Sequence, residues 1–436
     1  MANSVGRVLR FPRAVRSAPD PLGLYFRVGR NDQRDLLNLI AAGDSGCFGL
    51  VLDPTLVTSQ KELRDRALAR KMDVLLDPRT QAAATIGGYT PALGKLPWGL
   101  QRIHEARDYE GSEGRRLIAG IAKFVIDQGF TQVLAPTHLL RDDSEQWLKT
   151  DLESTARLRD ELDRRGAGGI PIVYPLAISY ALFRNPTQRE RVIDELRNAP
   201  IESVWLQVDG FGSTSTAAAV RTFLDTVTDF HALGKPVVAD RTGGLVGLSL
   251  LAFGGVGGLS HGVTTGERFD SAHWRRPRAT KSFGLGHRVY LPQIDMQLTH
   301  KEAESLFALG SRARANFGCR DTNCCPRGIT DTMENPARHF LYQRANEVAG
   351  LSQVPDSLKP SRFVEEHLRS TTDRLVSAAT LPFQDEKFAK RVKHQRKRLD
   401  MMRVLLGKLA LNAKELSIAR LPRTRAARGA SSHPSL

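Results

Sequence analysis

Three cysteines and a histidine fall close together in the second half of the chain, and thiolates with an imidazole are the donors of a tetrahedral structural zinc site. The run is Gly318-Cys319-Arg320-Asp321-Thr322-Asn323-Cys324-Cys325-Pro326, and thirteen residues separate Cys325 from His339. That spacing is not one of the common fingers, and adjacent cysteines rarely share one ion. A zinc site on Cys319, Cys324, Cys325 and His339 and a group of buried free thiols are therefore both open. The remaining cysteine, Cys47, reads as core. A second group of reactive side chains is spread along the first 265 residues, each at or just past the end of a short apolar run. Asp77, Asp209, Asp240 and His261 are candidates for general acid/base work, and Gln207, Arg241, His138 and Ser260 for holding a polar, anionic or heteroaromatic substrate. Arg27, Asp53 and Tyr174 share that placement. Any one of them also suits a turn or a helix cap, so the argument rests on their convergence.

What must position them is an alternation of strand-length apolar runs with amphipathic stretches. The strands are expected at Leu24–Val28, Phe48–Leu52, Asp73–Leu76, Thr131–Ala135, Ile170–Tyr174, Ser203–Val208, Pro236–Ala239 and Gly255–Leu259. Helical periodicity fills the intervals, for example Asp32–Ala42, Arg115–Gln128 (stopped by Gly129), Ser144–Arg165 and Thr216–Leu233 (stopped by Gly234). Parallel strands need such crossovers, and eight of them favour a closed (β/α)8 TIM barrel, class α/β. A doubly wound open sheet would carry a glycine-rich phosphate turn after the first strand, and the sequence there is Gly29-Arg30-Asn31-Asp32. The expected organisation is a flexible N-terminus over 1–20, the barrel over 21–268, a Cys/His extension with helices over 269–380, a basic amphipathic helix over 381–415 and a disordered basic tail over 416–436.

The chain has 436 residues, 41% hydrophobic, and a formal net charge of +16. The charge is uneven. From Lys387 onward there are fourteen Lys/Arg against two acidic residues, so +12 of the +16 lies in the last fifty positions. A concentration of that kind calls for an anionic partner, nucleic acid before a membrane surface. Phe388, Val392, Leu399, Met402, Leu406 and Leu409 recur at helical spacing. They leave Lys387, Lys390, Arg391, Lys393, Arg396, Lys397, Arg398 and Arg403 to face outward. The start of the chain is basic but lacks an apolar h-region, so no secretory signal is expected and the cysteine usage suits the cytoplasm. The one uncharged span, Gly243–Leu259, is seven-seventeenths glycine and reads as a short helix and a strand, not a membrane crossing.

On this order of elements, and on Arg338-His339-Phe340 followed by Ala345-Asn346-Glu347-Val348-Ala349-Gly350-Leu351, the chain resembles the tRNA-guanine transglycosylase superfamily, in plan the DNA-modifying deazapurine type. The resemblance covers about residues 20–380. It implies a barrel with a Cys₃His zinc subdomain after the eighth strand, a nucleophilic aspartate at the end of that strand, and a second aspartate after the third. Asp77 stands at the second place. The first is taken by Ser260 within Gly255-Val256-Gly257-Gly258-Leu259-Ser260-His261, the family's base-reading aspartate has only His138 near it, and His339 lies earlier than the family's zinc histidine. A serine is a poor substitute for a carboxylate beside an oxocarbenium-like centre, so a surviving reaction would draw on Asp77, Asp209 or Asp240. Three readings follow: a transglycosylase-like enzyme on a purine-type base in DNA or RNA, a non-catalytic nucleic-acid binder of the same fold, or an unrelated barrel enzyme on a small anionic substrate.

Overall fold

The computed structural model describes residues 22–43, 46–141, 145–277 and 287–411; the expected N-terminal segment 1–20 and the tail 416–436 lie outside them. Eight strands pair in parallel: β1 (Gly23–Arg27), β2 (Gly49–Leu52), β3 (Asp73–Leu76), β4 (Gln132–Leu134), β5 (Ile172–Ile178), β6 (Ser203–Val208), β7 (Val237–Asp240) and β8 (Gly258–Gly262). β8 returns to β1, with Tyr25 opposite Ser260 and Arg27 opposite Gly262, and this closes the TIM barrel. Strand alternation sorts the side chains. Tyr25, Val51, Leu75, Leu134, Val173, Trp205 and Val238, one from each of the first seven strands, fill the interior as a separate apolar cluster. Their neighbours, such as Phe26, Leu50 and Leu76, face the surrounding helices in the main core.

Two strands depart from expectation. β5 runs four residues past Tyr174, through Pro175. Proline brings no N–H to a ladder, but its carbonyl is taken by Thr137 Oγ1 at 2.6 Å and Gln81 Nε2 at 3.2 Å, and the two-residue strand Leu139–Leu140 pairs with its far end. β8 starts three residues late. The chain spends Gly254 and Gly255 closing the preceding helix, with Gly255 N bonded to Leu250 O at 2.9 Å and Gly254 at φ +69°. Ser260 and His261 therefore lie within the strand, not beyond it. The uncharged span contains the nine-residue helix Gly244–Ala252, buried throughout, and no helix among the described residues is long and apolar enough to cross a membrane.

After the barrel come the antiparallel hairpin β9 (Val289–Leu291) and β10 (Met296–Leu298), then helices His300–Phe307, Ser311–Phe317, Ile329–Glu334 and Pro336–Ser352. A helical run over 359–379 follows, with a π-helical stretch at Phe363–Arg369. The last element is the helix Glu386–Leu411, which buries Phe388, Val392, Leu399, Met402 and Leu406. One basic residue expected outside is inside: Arg398 is buried, donating to Ser215 O at 3.0 Å and lying 3.4 Å from Asp295.

Candidate active site and metal centre

The C-terminal ends of the strands converge on Arg27, the last residue of β1. Because Tyr25 points into the barrel, Arg27 does so too. Its Nε donates to Asp240 Oδ1 at 2.8 Å, its Nη2 to Asp240 Oδ2 at 2.5 Å and its Nη1 to Asp77 Oδ2 at 2.6 Å. Gln207 Nε2 also donates to Asp240 Oδ2, at 2.5 Å, and Ser260 sits level with Asp240 across β7 and β8. Strands 1, 3, 6, 7 and 8 thus supply one charged layer above the apolar one. Burial pushes the Asp240 carboxyl up, but the Arg27 guanidinium outweighs it and holds the group below its ordinary value. Asp77 has the same balance, with Arg27 and then Arg79 lowering it. Both are ionised at neutral pH, yet they differ in access: the Asp240 side chain is 0% exposed and that of Asp77 17%. Asp77 is the carboxylate a substrate can reach.

Two further arginines frame the layer. Arg79 pairs with Asp53, whose other oxygen caps Thr55 N at 2.9 Å. Arg241 has a buried Nε without a hydrogen-bond partner. Burial, and then the nearby Arg27, bring the Arg241 guanidinium down to about 10. Arg79 and Arg241 both adopt left-handed backbone, φ 60° and 55°. A β-carbon makes that conformation costly, and such strain gathers where a side chain must be aimed. Arg79 was not among the sequence-derived site residues, and Arg27 was placed at the rim without a role. The signal for Arg27 was present: an arginine two residues after Tyr25 on an inward-facing strand requires carboxylates opposite it.

Three candidates lie elsewhere. His261 alternates with Ser260 and so faces outward, wedged edge-on against Phe26 and Phe340 with ring centroids 5.5 and 5.7 Å apart. Asp209 turns to the rim, accepting from Ser271 N at 2.7 Å and Ser271 Oγ at 2.6 Å. His138 belongs to a buried network under the helix Glu145–Arg164, bonded through Nδ1 to Asp151 Oδ1 at 2.6 Å and stacked on Trp147 at 3.8 Å. Asp151 Oδ2 also accepts His138 N at 2.8 Å. Asp151→Ala is expected to orphan two buried donors, costing about 1–3 kcal/mol for each, with unchanged ligand binding. A denaturant series showing no loss of stability would contradict this assignment.

The cysteine cluster closes into one buried group. The ligand atoms of Cys319, Cys324, Cys325 and His339 all lie within 4.8 Å of one another. Cys324 Sγ is 3.5 Å from Cys325 Sγ and 3.3 Å from His339 Nδ1, and Cys325 Sγ is 3.4 Å from His339 Nδ1. Zn–S bonds of about 2.3 Å at tetrahedral angles would set sulfurs about 3.8 Å apart, so the donors need to spread only slightly around an ion. The neighbouring groups suit it as well. His339 Nε2 donates to Tyr290 O at 3.0 Å, fixing the tautomer that leaves Nδ1 free. Thr332 Oγ1 donates to Cys325 Sγ at 3.5 Å and Gln343 Nε2 to Cys319 Sγ at 3.8 Å. Both adjacent cysteines belong to this cluster, because the turn after Asp321, with Cys325 N on Asp321 O at 2.7 Å, brings both thiols to the same side.

Next to the mouth lies the place where barrels of this fold often seat phosphate, the N-terminus of the helix after β7. Here it is filled from within. Gly244 N donates to Glu267 Oε1 at 3.1 Å and Leu245 N to Asp295 Oδ1 at 3.3 Å. A β-carbon on Gly243 would lie 2.1 Å from Glu267 Oε1, so glycine is what lets the carboxylate approach.

No family model matches the sequence, and no curated protein matches it. Solved structures similar in fold include a Penicillium canescens endo-1,4-beta-xylanase, XylE, at 10% identity and TM-score 0.37, covering 55% of this chain and 81% of that one. A type I 3-dehydroquinate dehydratase from Clostridium difficile is 9% identical at TM-score 0.36, covering 58% and 89%. The YdjI aldolase from Escherichia coli K12 is 11% identical at TM-score 0.32, covering 76% and 91%. These likenesses concern the fold, which hosts many unrelated chemistries.

Proposed function

We propose that the chain is a nucleic-acid-directed enzyme of the transglycosylase type, with a purine-type base and its sugar at the barrel mouth and the phosphate backbone on the C-terminal helix. The observation that carries this reading is the convergence of Asp77, Asp240 and Gln207 on Arg27 at the strand C-termini. A carboxylate held at low pKa is a weak proton acceptor, but it suits the other task, stabilising or capturing an oxocarbenium-like sugar carbon. Asp77 takes that role and Arg27 positions it. Gln207 Oε1 and Arg241 Nε are buried without partners, and each such atom costs about 1–3 kcal/mol. One acceptor and one donor are the pair that a lactam-type base edge satisfies, and Arg241 would meet charge developing on a departing base. Outward on the helix, Lys387, Lys390, Arg391, Lys393, Arg396, Lys397 and Arg403 retain solvent exposure, a density of like charge that phosphates would relieve.

A non-catalytic nucleic-acid binder is the second reading. It draws on Ser260 at the place the resemblance gives to a nucleophile and on the sequestration of Asp240. The two separate in one assay: purified protein is incubated with single-stranded DNA or RNA, and released or exchanged base is followed by mass spectrometry. Base release that depends on Asp77 supports the enzyme, whereas tight salt-sensitive binding without release supports the binder.

The metal we assign to Cys319, Cys324, Cys325 and His339 is zinc, in a structural role, since four protein donors leave no open position. Elemental analysis is expected to find about one zinc per chain. His339→Ala should lower metal content and melting temperature together, because binding of such an ion is coupled to folding. Purified protein free of zinc and equally stable would overturn the assignment.

A further inference from the structure

A cavity of about 490 Å³ opens between the first half of the Glu386–Leu411 helix, the loop after β6 and the β9–β10 hairpin. Ser213, Thr214, Lys390, Arg391, His394 and Gln395 form its walls. Its floor is built of ion pairs. Arg344 donates to Glu267 Oε1 and to Glu347 Oε2, each at 2.8 Å, and Arg398 lies 3.4 Å from Asp295, so each carboxylate there already faces a guanidinium. Glu267 and Asp295 also occupy the N-terminus of the Gly244–Ala252 helix, and an anion arriving on this side is stopped above them.

The walls carry the exposed cations. The Lys390 side chain is 78% exposed, and its one ion pair, 3.7 Å to Glu386, is on an equally exposed partner. Arg391 shares its guanidinium between Glu302 and Gln297 O. His394 is exposed and bonded to no other described side chain. Thr214 Oγ1 accepts from Arg268 Nη1 at 2.8 Å, which leaves its own O–H free to donate. Cations on one wall and hydroxyl donors on the facing wall, above a floor whose carboxylates are already bound by guanidiniums, are what a tetrahedral oxyanion requires.

The geometry points to a phosphate-binding pocket formed by Lys390, Arg391, His394, Ser213 and Thr214, which takes one backbone phosphate of a nucleic-acid strand entering the barrel mouth. This rests on the reading of the helix as a nucleic-acid face, and it makes that reading local. One phosphate is gripped at a defined point, and the remaining basic residues contribute a diffuse field. A free phosphate group shares the chemistry and is the other source to be distinguished.

The test uses the full-length protein and a labelled single-stranded oligonucleotide, followed by fluorescence anisotropy across a salt series. Lys390→Ala/His394→Ala is compared with Lys393→Ala/Lys397→Ala, which removes more formal charge from the same helix outside the cavity. All four side chains are exposed, and matching melting temperatures check that both variants are folded. The pocket pair is expected to weaken binding about tenfold and to reduce the salt slope by about 1, with inorganic phosphate competing, while the control pair loses less than about threefold. An equal or larger loss in the control pair overturns the pocket and leaves a delocalised basic face. If the protein binds no oligonucleotide but inorganic phosphate still broadens in ³¹P spectra, and only the pocket pair abolishes this, the pocket stands with free phosphate as its ligand and the nucleic-acid reading falls. No response to either probe overturns the pocket.

Discussion

Arg27→Leu is expected to destabilise the protein by about 3–5 kcal/mol, the cost of breaking a buried ion pair from one side. The reason is local. Asp240 is fully buried and has both oxygens on Arg27, so the leucine variant leaves a carboxylate in the barrel without its ion-pair partner, held by the neutral donors Gln207 Nε2 and Arg241 N. The pH dependence identifies the cause. In the native protein the Asp240 and Asp77 pKa values are depressed, so their contribution is fully present above the unfolded-state value of about 4 and is lost as pH falls through the lower native value. In Arg27→Leu burial dominates instead, Asp240 rises above its unfolded value, and the deficit should shrink as acid protonates it. Urea denaturation across pH 3–7 measures both. A deficit independent of pH would mean that Arg27 matters only through packing. Asp240→Asn is expected to destabilise as well, because it removes the charge from a fully buried ion pair.

Asp77→Asn should behave differently, with a small change in stability and a loss in turnover of about 10⁴-fold, the order seen when one member of a catalytic group is removed. Asp77 is reached by solvent and retains its Asx-type bond to Arg79 N at 2.8 Å through an oxygen that asparagine preserves; it loses the negative charge and the acceptor for Arg27 Nη1, while Arg27 keeps its two bonds to Asp240. Binding of the nucleic acid should be unaffected, so the effect falls on kcat and not on KM. Asp209→Asn is the control, because that carboxylate serves Ser271 at the rim. Equal losses in the two variants would remove Asp77 from the reaction.

The barrel was legible because its signals are short-range: β-branched runs, glycine stops and helical periodicity each follow from a few consecutive residues. Asp77, Asp240, Gln207, Arg241 and Ser260 could be gathered on one rim for the same reason, since in a parallel barrel every strand ends on the same side. Failure came where one residue of register decided the outcome. Gly254 and Gly255 are spent on the turn that closes the preceding helix, β8 moved on by three positions, and His261 passed from the expected mouth to the outer face. His138 was lost to a partner thirteen residues away, Asp151, which looks like any helix carboxylate until the fold brings it under the imidazole. Arg398 shows the same limit. Its neighbours Lys397 and Arg396 are exposed, and Ser215 O and Asp295, both more than a hundred residues earlier, draw it inward.

The central claim, that Asp77 at the barrel mouth acts on a base in nucleic acid, is tested most directly by mass spectrometry of nucleosides from the DNA and RNA of cells carrying the intact gene, no gene, or Asp77→Asn. The account predicts a nucleoside whose abundance changes with the intact gene and reverts in Asp77→Asn to the level without it. An altered nucleoside that persists unchanged in Asp77→Asn, or profiles that are identical in all three, would contradict it.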